Sequence, residues 1–297
     1  MKFLYFISLL LFLLFVFEPG HSQDLDQLLT QVTGDQTQYT SATFKSTRIV
    51  NGHSIERMQT GQLDFRISHK FGQLNTGSYN LWGLDGPATI HFSLEYGITN
   101  WLMAGVGRGT YEKTYDGFLK FSLLRQSKGK RNMPVSVSYL AATDLNSLNM
   151  PASFPFWSRW SYVNQLLVAR KFNERFSFEL NPTFIHKNIV ATKLDPNDLF
   201  ALGIGARFKL TNHISFNGEY YYVYHPKPSL ESTKTYNSLS VGFDIETGGH
   251  VFQLFLTNSE AMDEKGFITE TTGSWKNNGI RFGFNISRVF SLKKLEH

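Results

Sequence analysis

Three side chains in one short stretch have the types that enzymes use for nucleophilic catalysis: His91, Ser93 and Glu95. A hydroxyl activated by an imidazole, itself oriented by a carboxylate, is the usual arrangement. Here, however, the three occupy alternate positions of the run 88–98, in which apolar and polar residues alternate as they do in a β-strand. Residues two apart on a strand lie about 7 Å from each other, too far for a direct hydrogen bond. The spacing therefore predicts no catalytic site, and we expect no enzyme.

Metal and cofactor chemistry is not indicated either. The chain of 297 residues contains no cysteine, which excludes thiolate metal sites and disulfides. His53 follows Asn51 and Gly52, a turn pair that accommodates positive φ angles, and a lone histidine beside a turn is usually a structural residue. The net charge of +5 is small and the basic residues are scattered. We therefore expect no cofactor, no metal and no nucleic-acid partner.

The elements that carry these residues alternate with a period of two from residue 61 onward. In the last of them, 278–290, Phe282 and Phe284 fall on one face, while Arg281 and Asn285 fall on the other. Aromatic residues make up 15% of the chain. The predicted strands are 62–71, 88–98, 101–110, 115–124, 135–144, 160–172, 176–184, 200–209, 214–224, 238–245, 250–258 and 278–290.

The connections between these strands differ in length on the two sides. Those that follow even-numbered strands are mostly short, such as 99–100 and 211–212, whereas those that follow odd-numbered strands are mostly long, such as 72–87 and 259–277. Transmembrane barrels have tight periplasmic turns and larger outer loops. The predicted fold class is all-β: a closed antiparallel transmembrane β-barrel of about 12 strands, with a short N-terminal periplasmic segment and both termini on the periplasmic side.

Charged residues on one face of the strands argue against a dry core, because burying so many would cost several kcal/mol each. We expect this face to line a wet lumen and the opposite, apolar face to contact lipid. The predicted lumen-lining residues are Asp64, Arg66, His91, Glu95, Lys120, Glu179, Arg207, Glu219, Asp244 and Arg281. The residues predicted to face lipid include Phe92, Leu119, Leu180, Leu202, Phe243 and Phe282.

The N-terminus has the features of an export signal. Lys2 precedes an apolar run at 3–17, and the small residues Gly20 and Ser22 follow at the spacing that a signal peptidase needs. This run is shorter than the roughly 20 residues of a membrane-spanning helix. The predicted organisation is a signal peptide at 1–22, a periplasmic N-terminal segment at 23–60, the transmembrane β-barrel at 61–291 and a C-terminal tail at 292–297 whose last residues resemble a purification-tag scar.

Part of the N-terminal segment is a candidate plug. Twelve strands enclose a wider interior than eight, whose side chains fill the barrel by themselves, so something should occupy that space unless it is a pore. We expect Lys45, Arg48 and Arg57 to pair with inward acids such as Glu179, Glu219 or Asp244. The residues predicted to form the plug are Lys45, Arg48, Asn51, Gly52 and His53. The alternative is a loose tail.

Two stretches carry a family resemblance. The run TFKSTRIVNGHSIE at 43–56 and the strand LDFRISHKFG at 63–72 resemble the N-terminal signature of an uncharacterised outer-membrane β-barrel family of Bacteroidota, a domain of unknown function. The length and layout of the rest, including QLLVARKF at 165–172, agree with it. The resemblance implies an outer-membrane barrel, and it supplies no substrate, reaction or catalytic residue.

Three classes of function remain open. A polar inward face suits a channel or transporter for small polar solutes in the bacterial outer membrane, although the same charges could instead pair across strands and stiffen the barrel. A structural or docking component of an envelope complex is the alternative, and an outer-membrane enzyme is the least supported class. The expected partners are outer-membrane lipid, a small polar solute and an envelope protein. Whether the lumen is open or plugged, the identity of the solute and the oligomeric state are left open.

Overall fold

The structure is a computed structural model and describes residues 36–149, 151, 154–193, 195–224 and 234–292. The predicted signal peptide and the residues that resemble a tag scar lie outside this part of the chain. Among the residues that are described, no helix combines the length and the apolarity needed to cross a bilayer.

Twelve antiparallel strands close into one barrel, in which β14 pairs with β2, and the predicted fold class is confirmed. Two further strands, β1 and β6, form a small sheet of their own. The strands are β1 (Thr37–Tyr39), β2 (Gln62–Gln73), β3 (Thr89–Gly97), β4 (Leu102–Gly109), β5 (Tyr115–Leu124), β6 (Ser127–Gly129), β7 (Ser136–Leu145), β8 (Trp160–Lys171), β9 (Phe176–Lys187), β10 (Asp198–Lys209), β11 (Ile214–Tyr224), β12 (Ser238–Thr247), β13 (His250–Thr257) and β14 (Arg281–Ser291).

The two ends of the barrel differ in their connections. Short turns join strands at the end where β2 begins; between β12 and β13 the turn is Gly248 and Gly249, both with positive φ. We call this the turn end, and the opposite end, where the long connections lie, the loop end. The loop between β13 and β14 contains the helix α1 (Glu264–Thr269), all of whose residues are buried.

Apolar side chains cover the outer face of the barrel. Phe92, Leu119 and Phe243, each near the middle of a strand, are 46%, 44% and 45% exposed. Leu180 and Leu202 alternate with inward residues in the same way, but they are buried. For Leu180 the reason is its register, which places Val168 and Ile204 directly opposite it on the two neighbouring strands. The outer face is therefore an apolar belt in which some side chains, such as Leu180, are buried by neighbours on the adjacent strands.

Arginine in place of Phe92, Leu119 or Phe243 should destabilise the folded barrel in lipid vesicles by about 2 to 4 kcal/mol, the cost of a cation near the bilayer midplane. The measurement is a urea titration of folded protein in vesicles. Arginine in place of Tyr79, which is 94% exposed in a loop, is the control and should change little. Equal stability of the strand and loop variants would show that these strands do not face lipid.

Candidate functional site inside the barrel

Residues 43–56, which we call the inner segment, fold inside the barrel as a tight hairpin. Two backbone hydrogen bonds close it, from Ile49 N to Gly52 O (2.8 Å) and from Ser54 N to Thr47 O (2.9 Å). The Ser54 hydroxyl also donates to Ser46 O (2.6 Å). Apart from Lys45 and Glu56, every residue of the segment is buried. A non-strand segment therefore occupies the centre of the lumen.

The glycine in the turn of this hairpin has a different role from the one that its sequence suggests. Neither Asn51 nor Gly52 has a positive φ angle. The expectation that this pair serves a turn with positive φ angles is therefore wrong. A Cβ atom on Gly52 would instead collide with the hydroxyl of Tyr221 on β11. On β10, Gly205 likewise leaves room for the side chain of Ile49. Glycine is needed here because the segment approaches the wall closely.

Glu219 on β11 binds the tip of the hairpin. Its carboxylate accepts hydrogen bonds from three consecutive backbone amides, those of Val50 (3.2 Å), Asn51 (2.8 Å) and Gly52 (3.0 Å). The Asn51 side chain adds a fourth, also at 2.8 Å. Successive amides that converge on one anion form a strong, charge-assisted site. This carboxylate fixes the position of the tip in the lumen.

Cations of the wall hold the carbonyl groups of the same segment. Lys120 Nζ donates to the carbonyls of Ser54 (3.1 Å) and Glu56 (2.9 Å). Arg207 Nη1 donates to the carbonyl of Thr43 (3.2 Å) and to that of the residue before it (2.8 Å). On β9, Glu179 accepts the amide of Ile55 at 2.6 Å. Wall acids therefore bind amides, and wall cations bind carbonyls.

Lys45 and Arg48 of the inner segment and the adjacent Arg57 have other partners than those predicted. Lys45 pairs with Glu246, and Arg57 donates to the carbonyl of Asn100, both at the turn end. Arg48 pairs with Glu95 on β3 and with Glu264 of α1. The expected pairings with Glu179, Glu219 and Asp244 are wrong because backbone amides of the segment or, for Asp244, the Gln253 amide (2.8 Å) already bind those carboxylates.

Burial and charge set the protonation of two residues in the segment. Burial acts most strongly against the charge of Arg48, but Glu264 and Glu95 outweigh it, so the pKa of the guanidinium is raised. For His53, burial followed by the charge of Arg48 lowers the pKa well below its ordinary value, so the imidazole is neutral at pH 7. Its ring packs edge-on against Phe118, with 4.4 Å between the ring centroids. His53 therefore has a packing role in the structure.

The ten residues predicted to line the lumen all lie on the inward side of their strands and are at most 7% exposed; they are Asp64, Arg66, His91, Glu95, Lys120, Glu179, Arg207, Glu219, Asp244 and Arg281. Water is not the only source of hydrogen-bond partners for these charges, contrary to the expectation of a wet lumen. Peptide groups and side chains of the inner segment and of the loop after β13 take the place of water. Arg281, for example, pairs with Glu260 of that loop (2.5 Å). His91 instead lies 2.6 Å from Asp116 on β5, a partner within the wall.

The long loop after β13 lies at the loop end and folds into the mouth of the barrel. Lys70 on β2 holds it by donating to Ser259 Oγ (2.8 Å) and Ala261 O (2.6 Å). Within it, Asp263 caps α1 by accepting the amide of Gly266 at 2.8 Å. The signal in the sequence is the two apolar pairs at 261–262 and 267–268 in a mainly polar loop. This loop closes the lumen from the loop end and meets the inner segment at the ion pair between Arg48 and Glu264.

Part of the inner wall is apolar, which the sequence analysis missed. The side chains of α1 pack against this sector, where the rings of Phe267 and Tyr221 meet edge to face with 5.0 Å between centroids. The buried wall residues of this cluster are Met103, Phe118, Leu140, Ala142, Val163, Ile185, Leu199, Ala201, Tyr221 and Val223. The lumen therefore has an apolar patch beside its charged residues, since β5, β9, β10 and β11 carry both kinds on their inward face. Among the described residues, no three acidic or histidine side chains form a group that could hold a metal ion.

A closed barrel with an apolar outer belt and a polar interior sector defines a membrane β-barrel protein, the class found in bacterial outer membranes. The chain belongs to the family described as "Membrane bound beta barrel domain (DUF5777)", whose model matches residues 44–290. The match includes the inner segment almost from its first residue. No curated protein sequence gives a significant match.

Several solved structures have a similar fold. The NanC porin is 10% identical with a TM-score of 0.47, over 78% of this chain and 100% of that chain. The KdgM porin is 9% identical with a TM-score of 0.44, over 78% and 99% of the two chains. An outer membrane channel from Pseudomonas putida F1 is 10% identical with a TM-score of 0.44, over 80% and 98%. These likenesses concern the barrel alone.

Replacing Glu219 by Gln should release the tip of the hairpin. The variant places an amide donor opposite backbone donors, and the loss of a charged hydrogen bond, worth about 1.5 to 3 kcal/mol, should raise proteolysis within 43–56 at least about tenfold. The measurement is limited proteolysis of the folded protein.

The matched control is Glu246→Gln, which removes the partner of Lys45 at a position where the carboxylate is 42% exposed. An exposed ion pair contributes about 0 to 1 kcal/mol, so cleavage should be nearly unchanged. If both variants are as resistant as the wild type, Glu219 does not hold the segment in place.

Proposed function

We propose that the protein is an outer-membrane channel or transporter for small polar solutes and that the inner segment is the plug that holds it closed. One observation carries this proposal: Glu95, Lys120, Glu179, Arg207 and Glu219 line the wall, and their buried polar partners come from a segment that is not part of the barrel. Water can replace such partners one for one. Withdrawal of the segment would therefore leave a path lined by hydrated charges, beside the apolar wall residues Leu167 and Ala169.

The organisation proposed for the chain follows the sequence analysis. Residues 1–22 are an export signal, 23–60 a periplasmic segment that contains the plug, 61–291 the barrel, and 292–297 a tail. On this proposal the turn end faces the periplasm, since the plug enters from that side and short turns are periplasmic in such barrels. We also propose that the family occurs mainly in Bacteroidota and that the protein is not an enzyme.

Planar-bilayer recording tests the plug. The full chain should be nearly silent, and a variant that lacks both 23–60 and the helix α1 of the loop that closes the other end should conduct, because its charged wall would then be hydrated along the whole lumen. Heat-modifiable electrophoretic mobility shows whether the shortened barrel is folded. Silence of a folded, shortened barrel would contradict a channel and favour a structural role.

A cross-link tests the same proposal without removing any residue. Asn51 Nδ2 lies 2.8 Å from Ser240 Oγ on β12, and the chain has no native cysteine, so the double variant Asn51→Cys, Ser240→Cys contains a single pair that can be oxidised. Voltage-induced openings of the reduced form should disappear on oxidation and return on reduction. Openings that persist in the oxidised form would show that solutes pass without movement of the segment.

A docking role in an envelope complex is the second candidate, and exposed aromatic residues at the loop end favour it. Tyr79 is 94% exposed, Trp157 73% and Trp82 57%. Aromatic side chains of this kind are frequent anchors in protein interfaces and at the membrane surface. Co-purification of an envelope protein from cells, lost when the three are replaced by Ser, would support this role.

A further inference from the structure

A cavity of about 420 Å³ lies at the loop end, between α1, the ends of β8 and β9, and the loops around them. One side of it is apolar and includes Val190, Pro196 and Leu199. The other side is lined by charged side chains from four separate parts of the chain. The size is within the range of sites for small organic molecules.

The charged side forms a chain of ion pairs. Lys265 Nζ lies 2.9 Å from both Glu112 and Glu270, and Lys187 Nζ lies 3.7 Å from Glu270. Burial opposes the charge of Lys265 most strongly, yet Glu270 and Asp263 raise its pKa well above the ordinary value. Lys265 is therefore charged, and the set of ion pairs contains two cations and two anions.

The acids of the cavity already have donors. Glu112 also accepts the Asn146 side chain at 2.9 Å, and Asp195 accepts the backbone and hydroxyl of Thr192, both at 2.9 Å. A ligand is therefore not needed to supply donors on this side.

The side chain of Arg159 has fewer partners than these acids. Among the described residues no carboxylate lies within ion-pair distance of it, and its hydrogen bond to a described group runs from Nη1 to the carbonyl of Leu148 (3.1 Å). A guanidinium has five N–H donors and no acceptor. The three cations that line the cavity, Arg159, Lys187 and Lys265, equal its three acids, Glu112, Asp195 and Glu270, in number. Because Asp195 is bound by Thr192 and Lys187 lies 3.7 Å from its carboxylate partner, Arg159 and Lys187 still have N–H donors for a ligand.

We propose that this cavity binds a small organic anion, whose carboxylate or other acidic oxygens are held by Arg159 and Lys187 and whose apolar part lies against Val190, Pro196 and Leu199. The guanidinium fork suits bidentate recognition of such groups. The inference deepens the proposed function, since it names the class of solute that enters the barrel at this end.

Isothermal titration of the full chain in detergent tests the proposal with three probes. Benzoate should bind, whereas benzyl alcohol, which has the ring without the charge, and inorganic phosphate, which has the charge without the ring, should bind at least tenfold more weakly. Equal binding of benzoate and benzyl alcohol would overturn the role of the cations. Equal binding of benzoate and phosphate would overturn the role of the apolar side.

Single substitutions test which residues bind the anion. Arg159→Gln should weaken benzoate binding at least tenfold and Lys187→Gln several-fold, while Arg159→Lys, which keeps the charge but loses the fork, should lie between wild type and Arg159→Gln. The matched control is Lys276→Gln, an exposed lysine at the same end of the barrel that does not line the cavity. Unchanged binding in Arg159→Gln, with a folded barrel by electrophoretic mobility, would overturn the proposal.

Benzoate binding and conductance can fail independently of each other. Benzoate binding by a barrel whose shortened form stays silent would keep the site and reject conduction. A shortened form that conducts, with no benzoate binding by the full chain, would keep the channel and reject the site.

Discussion

The structure depends on how buried charges inside the barrel obtain hydrogen-bond partners. Closing twelve strands in a membrane satisfies the backbone of the wall, but it leaves the inward carboxylates, ammonium and guanidinium groups to be satisfied by something else. An unpaired charge in such a place would cost several kcal/mol. The peptide groups of the inner segment provide these hydrogen-bond partners. Glu219 takes three consecutive amides, and Lys120 takes two carbonyls.

This arrangement makes the wall and the segment mutually dependent. The hairpin of 43–56 is too short to have a core of its own, and its buried apolar side chains pack on the wall, as Ile49 does above Gly205. The wall charges, in turn, are paired only while the segment is present or while water replaces it. A barrel that exchanges one set of polar partners for another can keep its wall charges satisfied in both a filled and a hydrated state.

The two ends of the lumen are coupled through one ion pair. Arg48 comes from the segment that enters at the turn end, and Glu264 from the helix that enters at the loop end. Beyond that contact, α1 has one face on the apolar wall, through Phe267, and its charged residues toward the cavity that contains Arg159. A ligand in the cavity would therefore contact the same short helix that contacts the inner segment. Direct contacts through α1 therefore link the cavity at the loop end to the inner segment that fills the lumen.

The sequence by itself determined the number of strands, their order and which side chains point inward, because a period of two is a local property that each strand carries independently. The twelve predicted strands correspond to those of the barrel, and Phe92 and Glu95 lie on the faces that alternation assigns them. Only the tertiary structure decided which groups the inward charges meet. Arg48 and Glu264 are 216 residues apart, and no local pattern relates them. For the same reason the inward fold of the loop after β13 and the burial of Leu180 were missed, since both depend on what neighbouring elements place opposite them.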